Sequence, residues 1–443
     1  MGVTGIPLNG RFPPRDSNPP TWAMLPPPAS GEALRMNSTH KAHLTAPKGL
    51  AFWLVAAAFL VTMLGTTLPT PLYVIYQQKL GFSALMITVI FAVYALGVLA
   101  ALLLFGRASD AVGRRLVLLP GLAFSALSAV AFLLANGLPL LFVGRVLSGL
   151  SAGIFTGTAT ATLVDLAGEG RGARATLVAT GFNMTGLGLG PLLAGLLAQF
   201  APLPVRLPFW VDLGLVLLAV TAVWVMPETV DLSEHRRLRV SRPDLPPEVR
   251  GTFIRAATAG FAGFAVLGLV TAVDPSFLGE VLHHHSHALS GVVVFSVFAA
   301  STVAQVALAT RLGRWALAAG CVGLIAGMGL LVGGLAAKSL ALLIASSIVA
   351  GLGQGLCLRA GLQAVNSQAP AERRGGVASS FFIVMYIAIS LPVIGEGIAA
   401  NALGLQTAGI AFSIVVAAIA AFALATLVPS RKKAAQSAAP VRA

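Results

Sequence analysis

From Leu50 to about residue 428 the chain repeats one pattern: some twenty apolar residues, a short polar turn, then some twenty more. Runs of that length match the roughly 30 Å of hydrocarbon in a bilayer. In hydrocarbon no water can satisfy backbone N–H and C=O groups, so each run must close its own hydrogen bonds as a helix. The ten-residue alternating strands of a membrane barrel do not occur in the sequence. Predicted spans are 50–75, 82–105, 116–135, 138–164, 174–200 and 207–226, then 253–276, 289–310, 315–336, 339–363, 376–396 and 403–428. Twelve spans predict an all-α membrane protein built as two pseudo-symmetric six-helix bundles.

Charged residues are 10% of the chain, against about 25% in soluble domains, so the lipid bilayer is the expected solvent. The net charge of +14 does not point to nucleic acid, because the charges sit in turns between apolar runs. Lys and Arg also set orientation. Arg107, Arg114, Arg115, Arg171, Arg174, Arg311, Arg314, Arg359, Arg373, Arg374 and Arg431-Lys432-Lys433 fall on one side, with Arg236, Arg237, Arg239, Arg242, Arg250 and Arg255 around a central linker. Lys79, Arg206 and Lys338 fall on the other. Both termini are therefore expected in the cytoplasm, with the protein in the plasma (bacterial inner) membrane. Cys321 and Cys357 lie within apolar runs and read as small buried hydrophobes.

The expected organisation is a disordered tail (1–47), an amino-terminal bundle (48–228), a cytoplasmic linker (229–251), a carboxy-terminal bundle (252–429) and a short tail (430–443). Met36-Asn37-Ser38-Thr39 offers a second start, which leaves open whether residues 1–35 are translated. An internal repeat supports the two bundles. Gly113-Arg114 recurs as Gly313-Arg314 after 200 residues, Glu169-Gly170-Arg171-Gly172 as Glu372-Arg373-Arg374-Gly375 after 203, and Pro191 as Pro392 after 201.

The turn between the second and third spans, Gly106-x3-Asp110-x2-Gly113-Arg114-Arg115, resembles the signature loop of the major facilitator superfamily. Pro227-Glu228-Thr229 after the sixth span and Arg311-Leu312-Gly313-Arg314 after the eighth resemble companion motifs of that family, and the likeness covers about 48–429. The resemblance implies that Gly106, Asp110, Gly113, Arg114 and Arg115 latch the bundles together. Asp110 would face the amino end of the eleventh helix near Gly375-Gly376, where unpaired N–H groups favour a carboxylate. Ala111 stands where the family usually has arginine.

Arg145, in Arg145-x3-Gly149-x3-Gly153, resembles the fourth-helix arginine motif of proton-coupled carriers. An arginine there costs at least about 2.5 kcal/mol by insertion scales, so it has either a functional partner or a path to the outer interface. Gly149 and Gly153 give a small face for close helix contact. Gly186-x3-Gly190-Pro191-x2-Ala194-Gly195 in the fifth span is similar to the antiporter motif of proton-driven exporters, and Leu64-Gly65-x3-Pro69-x-Pro71 resembles the first span of the twelve-span drug/proton antiporters. The first span holds no acid, so proton coupling is expected from Arg145 with Asp212, Asp274 or Glu396, which open the sixth span and close the seventh and eleventh.

Candidate cavity residues are Tyr73, Tyr94, Phe155, Asn183, Gln305, Gln354, Gln363 and Phe382. Gly351-x-Gly353-Gln354-Gly355 lies inside a span with no strand–helix unit, which excludes nucleotide binding. His283-His284-His285-Ser286-His287 is read as an incidental loop run rather than a metal site. The expected function is a secondary transporter without cofactors, a monomer that exports small organic molecules in exchange for protons. An importer or a sugar or metabolite exporter of the same fold is the alternative, with a non-transport receptor behind it. No catalytic set is visible, so an enzyme is not expected.

Overall fold

The computed structural model describes residues 1–2, 46–105, 108–230, 244–370 and 373–427. The two tails, Gly106 and Arg107 in the signature loop, and the basic centre of the linker lie outside the described residues.

Among the described residues eleven helical runs are long and apolar enough to cross a bilayer. One of them, His287–Ala336, is 50 residues long, some 75 Å if straight and too long for one crossing. Its contacts resolve it into two antiparallel spans. On the helix Leu340–Gln368, Gly351 and Gly355 meet Val297 and Ser301 in ascending order, whereas Cys357, Ala350 and Leu343 meet Gly320, Gly327 and Gly334 in descending order. The reversal falls at Gly313, whose φ of 49° and ψ of −120° suit a residue without a Cβ.

The twelve spans are α1 (Lys48–Leu80), α2 (Ala84–Phe105), α3 (Arg114–Leu133), α4 (Leu138–Ala167), α5 (Gly172–Phe200), α6 (Leu207–Trp224), α7 (Pro247–Ala272), α8 (His287–Val303), α9 (Ala316–Ala336), α10 (Leu340–Gln368), α11 (Arg374–Leu403) and α12 (Leu405–Leu427). A π-helical turn, Ala304–Leu308, carries α8 on towards Leu312. The long spans agree with the sequence expectation, but their ends differ. α11 runs on to Leu403, so Glu396 sits inside this helix and does not close it. α7 stops at Ala272, and Asp274 opens the next short turn, Asp274–Ser276.

Buried apolar side chains group by bundle. Those around Phe59, Leu118 and Phe155, and around Leu68 and Phe209, lie within α1–α6. A larger cluster around Leu269, Phe277 and Phe381 lies in α7–α12 and takes in Phe91 and Met184 from the first bundle.

The repeat reaches down to individual backbone contacts. A Cβ on Gly149 or Gly153 of α4 would run into the carbonyls of Tyr94 and Val98 and the methyl of Ala101 on α2. On α10, Gly351 and Gly355 meet Val297, Ser301 and Ala304 on α8 in the same way, each glycine 202 residues and each partner 203 residues further on. With no hydrophobic force between helices in lipid, such small-residue contacts let backbones approach and gain dispersion energy. Helix α5 uses both faces: Gly186 and Gly190 lie on α1 at Leu60 and Leu64, while Gly188 and Gly195 lie on α8 at Phe295, Phe298 and His287. The expected tight packing of the glycine-proline helix is thus a seam between the bundles as well as within one. Helices α2 and α11 make a second seam, where Gly397 rests on Leu85 and Thr88, Ser390 donates to Ala92 O (3.4 Å), and Tyr94 meets Tyr386 edge-on.

Gly149→Ala, whose Cβ would lie 3.0 Å from Gly97 Cα, should cost about 1–3 kcal/mol by overpacking. Gly157→Ala on the same helix meets nothing within 4 Å and should be neutral or stabilising by up to about 1 kcal/mol. Thermal unfolding of the detergent-solubilised variants should move their midpoints in these different directions.

Candidate functional site: a cavity between two repeats

A cavity lies between the bundles, lined by α1, α2, α4 and α5 from one and by α7, α8, α10 and α11 from the other.

The geometry starts from a break in α1. Pro69 and Pro71 lack the N–H groups that a continuous helix would offer to Gly65 and Thr67, and a tighter turn, Thr70–Leu72, follows. Beside that break, Arg145 Nη1 donates to Thr66 O at 2.7 Å and Nη2 to Phe91 O at 3.4 Å. Its guanidinium lies 4.8 Å from the centre of the Tyr94 ring and 5.4 Å from that of Phe91. The close α2–α4 contact at Gly149, one turn on, brings both rings within reach. Arg145 is 1% exposed and lines the cavity, so it does not extend to the outer interface. Its Nε is buried without an acceptor, and no carboxylate among the described residues lies within 4 Å of it.

Of the cavity residues expected from sequence, Tyr94, Asn183 and Phe382 line it. Five do not. Tyr73 is buried among Leu68, Leu72 and Tyr76 beyond the α1 break. Phe155 packs on Phe59 inside the first bundle (6.3 Å between ring centres). Gln305 Nε2 donates to Ser301 Oγ (3.0 Å), which donates to Gln354 Oε1 (2.6 Å), so both amides serve the α8–α10 contact. Gln363 is exposed. The sequence reading missed Thr66, Thr67, Phe91, Thr271 and Tyr386, which do line the cavity. Thr66 and Thr67 had a usable signal, since they sit next to a Pro-x-Pro break that forces irregular backbone into the membrane.

The three acids occupy different places. Asp212, 2% exposed, presses its carboxylate on Gly65 of α1, where a Cβ would stand 2.7 Å from Oδ1. Asp274 and Glu396 are 0% and 3% exposed, and their carboxylate oxygens form no hydrogen bond, since Ser347, beside Asp274, donates to Leu343 O (3.2 Å) instead. These two are electrostatic neighbours. Glu396 lines a small pocket with Thr88 of α2 and Ser276, beside the α2–α11 seam. None of the three lines the central cavity.

In the signature loop, no ion pair or hydrogen bond among the described residues joins Asp110 to the amino end of α11. The Asp110 carboxylate pairs with Arg114 at 2.5 Å, and Arg114 also binds Asp165 Oδ2 (3.0 Å) and Ser109 Oγ (2.7 Å). The amino end of α11 is engaged instead by the linker: Arg373 binds both Asp244 oxygens (2.6 and 2.9 Å), and Asp244 N donates to Ser380 Oγ at 3.1 Å. Glu228 accepts from Arg114 N (2.9 Å) and Arg115 N (3.1 Å), capping α3 with a carboxylate where the helix dipole favours one. Thr229 Oγ1 adds a bond to Asp165 Oδ2 (3.1 Å). Gly113 makes this possible, because its φ is 102° and a Cβ would stand 2.7 Å from Glu228 Oε2. Arg115 lies over the Trp224 ring at 4.4 Å. Gly106 is outside the described residues.

His283, His284 and His285 are exposed, and His287 N donates to Gln199 Oε1 (3.0 Å) across the α5–α8 seam. Among the described residues no three His, Cys, Asp or Glu side chains come together as a metal site. Cys321 and Cys357 are buried and free on α9 and α10.

A family model described as Major Facilitator Superfamily matches residues 55–391. Multidrug resistance protein 2 of Bacillus subtilis is 26% identical over 188 residues, 42% of this chain and 46% of that protein. A triacylglyceride transporter of Mycolicibacterium hassiacum is 32% identical over 156 residues, 35% of this chain and 29% of that protein. Each match thus spans less than half of the relative's length. Among solved structures, a crystal structure of the peptide transporter POT superposes with a TM-score of 0.67 at 15% identity, covering 86% of this chain and 94% of that one. That likeness is one of fold.

Gly113→Ala, which meets both the backbone strain and the Glu228 carboxylate, should destabilise the protein more than Glu228→Gln. The latter keeps the shape of the cap and should lose about 0.5–2 kcal/mol. Unfolding midpoints of the two variants in detergent should rank in that order.

Proposed function

The chain belongs to the major facilitator superfamily, and on that premise we propose that it is a proton-coupled secondary transporter that exports small organic molecules by alternating access. One observation carries the reading: a single cavity is lined by matching helices of two repeats, the first, second, fourth and fifth of each. Halves that hold a ligand between them can turn its opening from one face to the other by rocking about it. The membrane is the bacterial inner membrane, with both termini in the cytoplasm, in keeping with the Lys and Arg distribution.

Asp274 and Glu396 hold the coupling proton. They are buried neighbours with no donor to either carboxylate, and Glu396 borders the α2–α11 seam that must part when the outer face opens. Asp212, shut against Gly65 within the first bundle, has a packing role. The signature loop sets the balance of states. In the arrangement described, Arg114 keeps Asp110 within its own bundle, and closing the cytoplasmic side hands that carboxylate to the amino end of α11.

In proteoliposomes, making the side opposite the loaded substrate acidic should accelerate its exit. Glu396→Gln should lower this gradient-driven flux at least tenfold while leaving substrate-for-substrate exchange in place, and Asp212→Asn should retain both. Gradient-driven flux at the normal rate through Glu396→Gln would remove the acid pair from the coupling mechanism.

A further inference from the structure

The charge of the cavity wall selects its ligand. Arg145 is the one charged residue among the described residues that line it. A guanidinium with 1% exposure and, among the described residues, no carboxylate within 4 Å is an uncompensated cation. Two carbonyls and two ring faces offset part of its lost hydration, but carbonyl dipoles do not neutralise a full charge, and Nε has no acceptor. The acids that could have balanced it are elsewhere: Asp212 on Gly65, and Asp274 with Glu396 at the outer seam. The position 202 residues beyond Arg145, where the repeat would place its counterpart, is Ser347. The opposite wall therefore brings no second charge. It brings Phe264, Leu267, Phe298, Phe382 and Tyr386, with Thr271 among them.

The geometry points to an amphipathic organic anion as the ligand, its carboxylate or similar group on Arg145 and its aromatic or aliphatic body against the α7–α11 wall. An arginine donates two parallel hydrogen bonds to a carboxylate, and Nε, which has no acceptor, would donate one of them. A cationic ligand would meet Arg145 with no acid in the wall to hold it. The inference rests on the transport reading for its cargo and adds the sign of the charge.

Three probes of one shape test it on the full-length protein in detergent: naphthalene-1-carboxylate, naphthalene-1-carboxamide and 1-naphthylmethylammonium, titrated by calorimetry. The carboxylate should bind at least tenfold more tightly than the amide, and the ammonium should give no heat above background. Arg145→Gln should bring carboxylate and amide to the same affinity, with its helix content unchanged by circular dichroism. Should that variant not fold, the charge order on the unmodified protein decides. Ammonium binding as tight as the carboxylate, or no binding of any probe, overturns the inference. The two readings fail separately. The expected charge order without flux into proteoliposomes overturns transport alone. Flux of the ammonium probe in preference to the carboxylate overturns the anion site alone.

Discussion

Close approach of helix backbones is the constraint on which the rest of this molecule depends. In hydrocarbon an apolar side chain gains little by exchanging lipid for a neighbour, so helices are held by how completely their surfaces fit. Here the fit is made at glycines. Gly149 and Gly153 seat α4 on α2, Gly351 and Gly355 repeat that joint between α10 and α8, and Gly186 and Gly190 seat α5 on α1. The same joints position the chemistry. Arg145 reaches Phe91 O and the Tyr94 ring because α4 lies so near α2 at that level, and Thr67 Oγ1 can bond to Leu187 O (2.7 Å) because α5 lies on α1.

Two kinds of seam join the bundles. The α5–α8 seam runs from Gly195 at His287 and Gly291 to Gly188 at Phe295 and Phe298, with glycines of α5 seated on α8. The α2–α11 seam is polar at its outer end, where Thr88, Ser276 and the Glu396 carboxyl meet in a small pocket. On the proposed mechanism, separating the second seam would expose this acid to water and closing it would bury it again, so that rocking and proton exchange would be one event.

Much of the fold was legible because membrane spans are written in long apolar runs and topology in short basic turns. The helix ends were not. Glu396 ends the predicted eleventh span, 376–396, yet α11 continues to Leu403. Motif residues with a fixed spacing, such as Gly113 and Glu228, could be picked out, but their contact with each other could not, since 114 residues separate the Arg114 amide from the carboxylate that caps it. The cavity was the least legible part. Polar residues inside a span look alike in sequence whether they face a ligand or a neighbouring helix. Gln305 and Gln354 are linked through Ser301, while Thr66 and Thr67, less conspicuous, lie on the cavity wall. Only the facing helix decides between these outcomes.

The repeat that builds the cavity is faithful in shape and unfaithful in charge. Gly149 and Gly351 are counterparts to within a residue of register, but one turn away Arg145 is matched by Ser347, the neighbour of Asp274. Two halves of like form therefore carry unlike electrostatics: a lone cation in one wall, and acids set behind the other. If the proposed anion site holds, a cargo bound by its charge would keep one fixed heading throughout the cycle and travel as a passenger of the amino-terminal half. The carboxy-terminal half, gripping only its oily end, would then be the part free to move past it.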